Sequence, residues 1–147
     1  MAFRLDRSSP TYWKVTLDDA PFNFLNQALV DDLTNVLEQA EASPDLKVIV
    51  IDSAVPDFFI AHFDLGSPFD FSPRPSGLPS FADITARLEQ LPAVTIAKIR
   101  GRARGGGSEI FLAFDLRFGA KGRAIFGQPE VGLNIIPGGG GIERLVA

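Results

Sequence analysis

Two strand-length apolar runs constrain the fold of this chain more than any other feature. They are LKVIVIDS at residues 46–53 and AVTIAKIRG at residues 93–101, and an amphipathic helical pattern precedes each of them. A continuous apolar run of this length indicates a strand buried on both faces, as in a parallel sheet covered by helices. The alternation of such strands with helices predicts an α/β fold.

Weaker patterns predict the other elements. Asn26 is a plausible N-cap for a helix that continues to about Ser43, because Pro44 disfavours helical geometry in the residue before it. The segment at residues 66–80 is rich in Pro, Ser and Gly and is predicted to be a mobile loop, the best candidate for a lid. The remaining predictions are strands at 12–17, within 57–65, at 115–120 and at 123–127, and helices at 81–91 and 108–114.

Length and composition exclude several classes of protein. A chain of 147 residues with 46% hydrophobic and 22% charged residues fits one globular domain over residues 1–147. A net charge of −4 gives no general attraction to nucleic acid or to acidic membranes. The absence of cysteine excludes disulfides, thiol nucleophiles and thiolate metal sites. Because no signal peptide or membrane-length apolar run is visible, we expect a cytoplasmic protein that binds neither nucleic acid nor membranes.

Two glycine clusters with nearby glutamates are the strongest functional signal. Glu109 follows the triplet at residues 105–107, and Glu130 precedes the cluster at residues 138–141. A glycine turn at the start of a helix frees N–H groups to bind an anion or a polarised carbonyl oxygen. The usual nucleotide-binding motifs are missing, which favours an oxyanion hole served by two carboxylates. The alternative is structural, with Glu109 capping the helix and Glu130 lying in a solvated turn.

The order of five segments resembles the crotonase, or enoyl-CoA hydratase/isomerase, family from about residue 12 to the end of the chain. The segments are NFLN, FFIAHFDL, GRARGGGSE, FDLRFGA and FGQPEVGLNIIPGGGG. The resemblance implies a crotonase-like fold of repeated ββα units that binds acyl-CoA thioesters. It also implies an enoyl-CoA hydratase as the most favoured activity, with an isomerase or other chemistry of the family as alternatives.

The resemblance assigns roles residue by residue. The backbone N–H groups of Phe63 and Gly106 would form the oxyanion hole, and Glu109 and Glu130 would activate a water molecule and protonate C2 of the substrate. Residues expected to contact the substrate are Phe24, Ala61, His62, Asp64, Leu65, Gly105 and Pro129. The implied chemistry needs no metal and no cofactor other than the coenzyme A of the substrate.

Two departures from the family pattern and one run of basic residues leave alternatives open. His62 stands where the family usually has glycine, so a positive φ there would cost about 1–3 kcal/mol, and the side chain is either an extra acid or base or a loop residue. Phe24 replaces a small residue and either narrows the site or belongs to the core. The alternating Lys98, Arg100, Arg102 and Arg104 share one face of an extended segment, where they would attract CoA phosphates or only meet solvent.

The last departure concerns the C-terminal end. The chain ends at GIERLVA, where the family continues into a helical region that supports trimers and completes the CoA site. We therefore expect a core domain that is truncated at its C-terminus and lacks this helical region, and a homo-oligomer. A catalytically silent module that only self-associates or binds partners is the rival hypothesis to an active enzyme.

Overall fold

The computed structural model describes residues 3–146, so residues 1, 2 and 147 of the predicted domain lie outside the described part. The strands are β1 (Phe3–Ser9), β2 (Tyr12–Leu17), β3 (Val48–Ser53), β4 (Phe58–Ile60), β5 (Val94–Ile99), β6 (Arg102–Arg104), β7 (Leu116–Gly119) and β8 (Ile125–Gly127). The helices are α1 (Gln27–Glu41), α2 (Ser80–Gln90), α3 (Gly106–Leu112) and α4 (Gly141–Leu145), with a 3₁₀ helix at Pro129–Leu133.

The elements repeat as strand, strand, helix, which confirms the predicted ββα architecture. One sheet has the strand order β1-β2-β3-β5-β7, and the other has the order β4-β6-β8. From β3 onward each repeat sends its first strand to the larger sheet and its second strand to the smaller one. All strand pairs are parallel except the hairpin of β1 and β2. Between β2 and α1, Leu25 forms an isolated parallel bridge with Phe63. This bridge takes the place of the strand that each later repeat contributes to the smaller sheet.

Helix α1 follows the prediction closely. The Asn26 side chain accepts a hydrogen bond from the Leu29 N–H at 2.9 Å, which satisfies one of the free donors at the helix start. The helix ends at Glu41, before Pro44. Its buried face consists of Leu29, Val30, Leu33, Val36, Leu37 and Ala40. This apolar stripe packs against the larger sheet and forms the main core.

The larger sheet is buried mainly on one face, so the prediction of strands covered on both faces is wrong in part. Ile49 and Ile51 are buried, whereas Val48 and Val50, which alternate with them along β3, are only half-buried. In β5, Val94 is 43% exposed. Because the helices cover one face, the opposite face of this sheet carries partly exposed apolar and charged side chains.

The two ends of the larger sheet differ in how well the sequence predicts them. Strand β7 was expected at residues 115–120, and it forms an edge strand with all four residues exposed. Strand β1 was not predicted, because its charged residues mask the alternation and only pairing with β2 makes the strand recognisable. Within residues 3–146, the structure contains no helix with the length and apolar character that a membrane span requires.

Candidate active site

The first glycine cluster forms a turn between β6 and α3 that only glycine permits. Gly105 has φ 53° and ψ −128°, and its N–H donates to the Gly127 carbonyl at 2.9 Å. A Cβ on Gly105 would lie 2.8 Å from Oε1 of Glu130, the flexible end of that side chain, so the backbone angles rather than the space require glycine here. Helix α3 begins at Gly106, two residues earlier than predicted.

The next two glycines allow α3 to approach its neighbours closely. A Cβ on Gly106 would lie 2.6 Å from Cδ2 of Leu25 and 3.7 Å from Cβ of Phe63. A Cβ on Gly107 would lie 2.3 Å from the carbonyl oxygen of Ile60. The start of α3 therefore packs directly against the segment that continues β4.

The N–H groups of Phe63 and Gly106 both lie beside this contact. The Leu25 N–H donates to the His62 carbonyl at 3.0 Å. The peptide bond between His62 and Phe63 is trans, so its C=O and N–H groups point in opposite directions. The Phe63 N–H therefore points away from Leu25. Gly106 is the first residue of α3, where the N–H has no acceptor inside the helix. Phe63 and the first residue of α3 thus lie close together.

Glu109 is a buried carboxyl group held by the second glycine cluster. It is 2% exposed, and its Oε1 accepts hydrogen bonds from the Gly139 N–H at 2.7 Å and the Gly141 N–H at 2.9 Å. Burial raises the pKa of Glu109, and the nearby Glu130 adds to this rise, whereas the two N–H donors partly offset it. Glu109 therefore retains its proton to a higher pH than an exposed glutamate.

Glu130 faces the same region from the 3₁₀ helix. It is half-buried, and its Oε1 lies against the Gly105 backbone. Its Oε2 is buried and has no hydrogen-bond partner among the described residues. A buried carboxylate oxygen without a partner is rare in proteins, which indicates that this oxygen is available to a bound molecule.

Two adjoining cavities bring most of the predicted site residues together. The larger, of about 390 Å³, is lined by Phe63, Leu65, Gly106, Glu109, Glu130 and apolar residues from α2 and the second glycine cluster. The smaller, of about 240 Å³, is lined by His62, Gly105, Pro129 and Arg104, and it shares Phe63, Leu65, Glu130 and Ile135 with the first. The combined surface is apolar apart from the carboxyl groups, His62, Arg104 and the backbone donors.

Three residues predicted to contact substrate do not line either cavity. Ala61 is buried, and its N–H bonds to the segment at Phe22 and Asn23. Asp64 accepts from the Ser67 hydroxyl and the Gly66 N–H, and these bonds lower the pKa of Asp64. Phe24 lies outside, with its ring 5.0 Å from the His62 ring. All three shape the loop rather than the cavity wall.

His62 does not have a positive φ, so the strain that a positive φ would have caused is absent. Among the described residues, Asn23 and Asn134 are the non-glycine positions with positive φ, and His62 is not one of them. Its Nδ1 lies 2.8 Å from the carbonyl oxygen of Phe63. Because a carbonyl oxygen can only accept, Nδ1 carries the proton in this contact.

The basic residues at positions 98–104 do not form one charged face. Lys98 and Arg100 pair with the buried Asp52 at 3.5 and 2.9 Å. Arg102 lies over the Phe58 ring, 5.6 Å from its centre. The chain passes from the larger sheet to the smaller one at residues 100–101, which separates the side chains. Arg104 lines the smaller cavity, and its buried Nε has no partner among residues 3–146.

The predicted lid segment is a loop that packs its aromatic residues beside the site. Phe69 and Phe71 lie 4.7 and 5.9 Å from the Phe63 ring, measured between ring centres. The Asp70 N–H donates to the Gln27 side chain at 2.9 Å, which ties the loop to α1. The loop prediction is confirmed, and its role as a lid remains a prediction.

Sequence reasoning missed the two glycines that hold Glu109 and a buried polar side chain near Glu130. Gly139 and Gly141 anchor Glu109, and both amide atoms of the half-buried Gln128 side chain are buried without partners. The signal for the glycines was present in the second cluster, but their N–H groups meet Glu109 only in the folded chain. The signal for Gln128 was its position two residues before Glu130. No group of three or more potential metal ligands occurs in the described part of the chain.

Comparison with known proteins identifies the family. A family model described as enoyl-CoA hydratase/isomerase matches residues 9–147. Human mitochondrial methylglutaconyl-CoA hydratase is 38% identical over 126 residues, which are 84% of this chain and 37% of the relative. The short-chain-enoyl-CoA hydratase of Clostridium acetobutylicum is 34% identical over 126 residues, which are 84% of this chain and 48% of the relative.

The solved structures show the same fold. A crystal structure of enoyl-CoA hydratase from Bacillus anthracis has a TM-score of 0.84 and 31% identity, covering 99% of this chain and 57% of that one. This chain thus spans about half the length, or less, of the curated relatives it matches. The family match over residues 9–147, together with the shared fold, shows that this chain belongs to the enoyl-CoA hydratase/isomerase family.

Proposed function

We propose that this chain carries the thioester-binding and acid–base groups of an enzyme that adds water across the 2,3 double bond of an enoyl-CoA. The observation that carries the proposal is that Phe63, Gly106, Glu109 and Glu130 line one cavity of about 390 Å³. Apolar neighbours such as Leu65 and Ile135 suit an acyl chain. The names of the relatives, which are enoyl-CoA or methylglutaconyl-CoA hydratases, support the same substrate class.

In the proposed reaction, the N–H groups of Phe63 and Gly106 bind the thioester oxygen. Their pull on electron density makes C3 electrophilic and lets negative charge develop on the oxygen. Losing one such donor typically lowers the rate about 10²–10³-fold. Because the two donors polarise the thioester, the reaction uses no metal, and coenzyme A enters as part of the substrate.

The two carboxyl groups then move the protons. The water oxygen bonds to C3, and one water proton passes to Glu130, whose Oε2 has no other partner. The electron pair of the double bond takes a proton onto C2 from Glu109. Its raised pKa keeps that proton available, and the two N–H bonds to Oε1 leave Oε2 as the proton-bearing atom. Proton exchange between the two carboxyl groups through solvent restores the starting state.

The rival proposal is a catalytically silent module that self-associates. The observation that favours it is the exposed apolar surface near the end of the chain, where Val131 is 77% and Ile136 is 80% exposed. Surfaces of this kind mark interfaces between protein molecules. Self-association is also compatible with an active enzyme, so turnover must decide between the two.

The test is hydration of a four-carbon 2-enoyl-CoA by the 147-residue chain, followed by loss of absorbance of the conjugated thioester. Glu109→Gln and Glu130→Gln should each reduce kcat by about 10²–10⁴, with acyl-CoA binding nearly unchanged. Glu143→Gln is the matched control, because Glu143 is exposed and outside both cavities. Equal turnover in wild type and in either site variant would remove that residue from the mechanism. Binding of enoyl-CoA without any turnover by the wild type would favour the silent module.

A further inference from the structure

The carbonyl group of Phe63 points to the same side as its N–H. The His62 carbonyl accepts from the Leu25 N–H, and the Asp64 N–H donates to the Leu25 carbonyl at 2.9 Å. Both peptide bonds that flank Phe63 are trans, so the remaining group of each peptide points away from Leu25. These two groups are the N–H and the carbonyl oxygen of Phe63 itself.

A bare carbonyl oxygen at this position would oppose the proposed chemistry. Negative charge that develops on a thioester oxygen at the Phe63 N–H would be repelled by the partial negative charge of the Phe63 oxygen. The cavity is largely apolar, so water screens this repulsion less than it would in bulk solvent. The structure supplies one hydrogen-bond donor to that oxygen from the described side chains, the Nδ1–H of His62 at 2.8 Å.

We propose that His62 is a positioning residue that caps the Phe63 carbonyl through its Nδ1–H, so that this peptide presents only its N–H to a negatively charged oxygen. The inference rests on the proposed function, because it needs an oxyanion to act on. It differs from the acid–base role considered from the sequence, since Nδ1 is engaged with the backbone. The ring of Phe24, 5.0 Å away, packs against the imidazole and limits its orientation.

The experiment compares two amides that imitate different nitrogens of the imidazole ring. In His62→Asn the amide nitrogen occupies the place of Nδ1, and in His62→Gln it occupies the place of Nε2. His62→Asn should keep kcat within about threefold of the wild type. His62→Gln should lower kcat about tenfold at unchanged KM. This loss is smaller than the 10²–10³-fold loss expected when a whole oxyanion donor is removed, because the Phe63 N–H remains in place. His62→Phe, which keeps a ring and lacks a donor, should behave like His62→Gln.

A second measurement reports polarisation without turnover. A conjugated 2,4-dienoyl-CoA absorbs at longer wavelength when its thioester carbonyl is polarised on binding. This shift of the absorbance maximum to longer wavelength should persist in His62→Asn and become smaller in His62→Gln and His62→Phe. Thermal melting of each variant identifies any that do not fold, and the pair of amide variants decides the question if the Phe variant is unstable.

The two proposals fail in different ways. A wild-type chain that neither hydrates enoyl-CoA nor shifts the dienoyl spectrum would overturn the proposed function and the role of His62 together. A wild-type chain that does both, with equal kcat and equal spectral shift in His62→Asn and His62→Gln, would overturn the role of His62 alone.

Discussion

The third and fourth ββα repeats have similar elements but very different burial. In the third repeat, helix α3 is buried from Gly106 to Phe111. In the fourth repeat, all four residues of β7 are exposed, and Gly141 is the buried residue of α4. Glu109 belongs to the buried repeat and Glu130 to the exposed one. The candidate site therefore lies between two walls: a tightly packed wall formed by the third repeat and a loosely packed wall formed by the fourth.

The hydrogen bonds of Glu109 connect these two walls. Its Oε1 takes the N–H groups of Gly139 and Gly141, which belong to the fourth repeat. A residue proposed to act in catalysis thus also orders the glycine cluster beside it. Packing therefore holds α3, whereas several polar contacts hold the start of α4. Besides the bonds to Glu109, the Gly139 carbonyl accepts from Thr85 and Arg144, and Arg144 pairs with Glu89.

The largest effect on stability is expected from alanine at a glycine of the packed wall. Gly107→Ala would bring a Cβ to 2.3 Å from the Ile60 carbonyl oxygen, which must shift because backbone cannot rotate away. We expect a loss of about 3 kcal/mol, at the upper end of overpacking effects. At about 2–4 °C per kcal/mol, thermal melting should show a fall of roughly 6–12 °C.

The matched control is alanine at a glycine of the loose wall. A Cβ on Gly138 would meet no atom within 4 Å, and its φ is not positive. Gly138→Ala should change the free energy of unfolding by less than about 0.5 kcal/mol. Equal losses in Gly107→Ala and Gly138→Ala would contradict the comparison between the two walls.

A second effect concerns self-association through the fourth repeat. Val131 and Val146 are 77% and 82% exposed, so we expect the chain to form oligomers at micromolar concentration. The double variant Val131→Glu with Val146→Glu should weaken association about 100-fold, because a buried charge opposes an apolar contact. The measurement is solution mass across a dilution series. A wild-type chain that stays monomeric at micromolar concentration and unfolds cooperatively would show that this surface does not self-associate.

The smallest effect is the pH dependence that Glu109 contributes to stability. Its pKa is raised in the folded state, so the folded chain binds this proton more tightly than the unfolded chain does. The stabilisation is complete below the unfolded pKa and is lost as pH rises through the folded pKa. Each unit of elevation corresponds to about 1.4 kcal/mol.

Glu109→Gln removes this titration and tests its sign. The variant should melt a few degrees higher than the wild type at neutral pH, with the difference shrinking as pH falls towards the ordinary carboxyl range. A difference that stays constant across this pH range would show that Glu109 is not destabilised by ionisation.

Several parts of the molecule followed from local sequence. Helix α1 was predictable because Asn26, the apolar spacing and Pro44 all act within a few residues. Strands β7 and β8 were predictable as short apolar segments. The early start of α3 at Gly106 was not, because glycine has a poor helix propensity and only the contacts with Leu25 and Ile60 make it suitable there.

His62 illustrates what sequence comparison with a family can suggest wrongly. A histidine in place of the family's glycine would strain the backbone if φ were positive, and His62→Gly would then raise stability. The absence of a positive φ removes the reason for that gain, so glycine is now expected to lower stability through its greater freedom in the unfolded chain. The contact from Nδ1 to the Phe63 carbonyl could not be read from residue types, because it depends on the bridge between Leu25 and Phe63.

The sequence by itself determined the α/β class, helices α1, α2 and α3, most of the strands, the glycine turn and the two glutamates as candidates. These depend on periodicity and on residue types at short range, which act the same way in any context. Tertiary structure decided that Glu109 is buried against Gly139 and Gly141. It also decided that Oε2 of Glu130 has no hydrogen-bond partner among the described residues, and that Lys98 and Arg100 form ion pairs with Asp52. Burial and hydrogen bonding join residues about 30 or more positions apart, and only the packing of one repeat on the next brings such residues together.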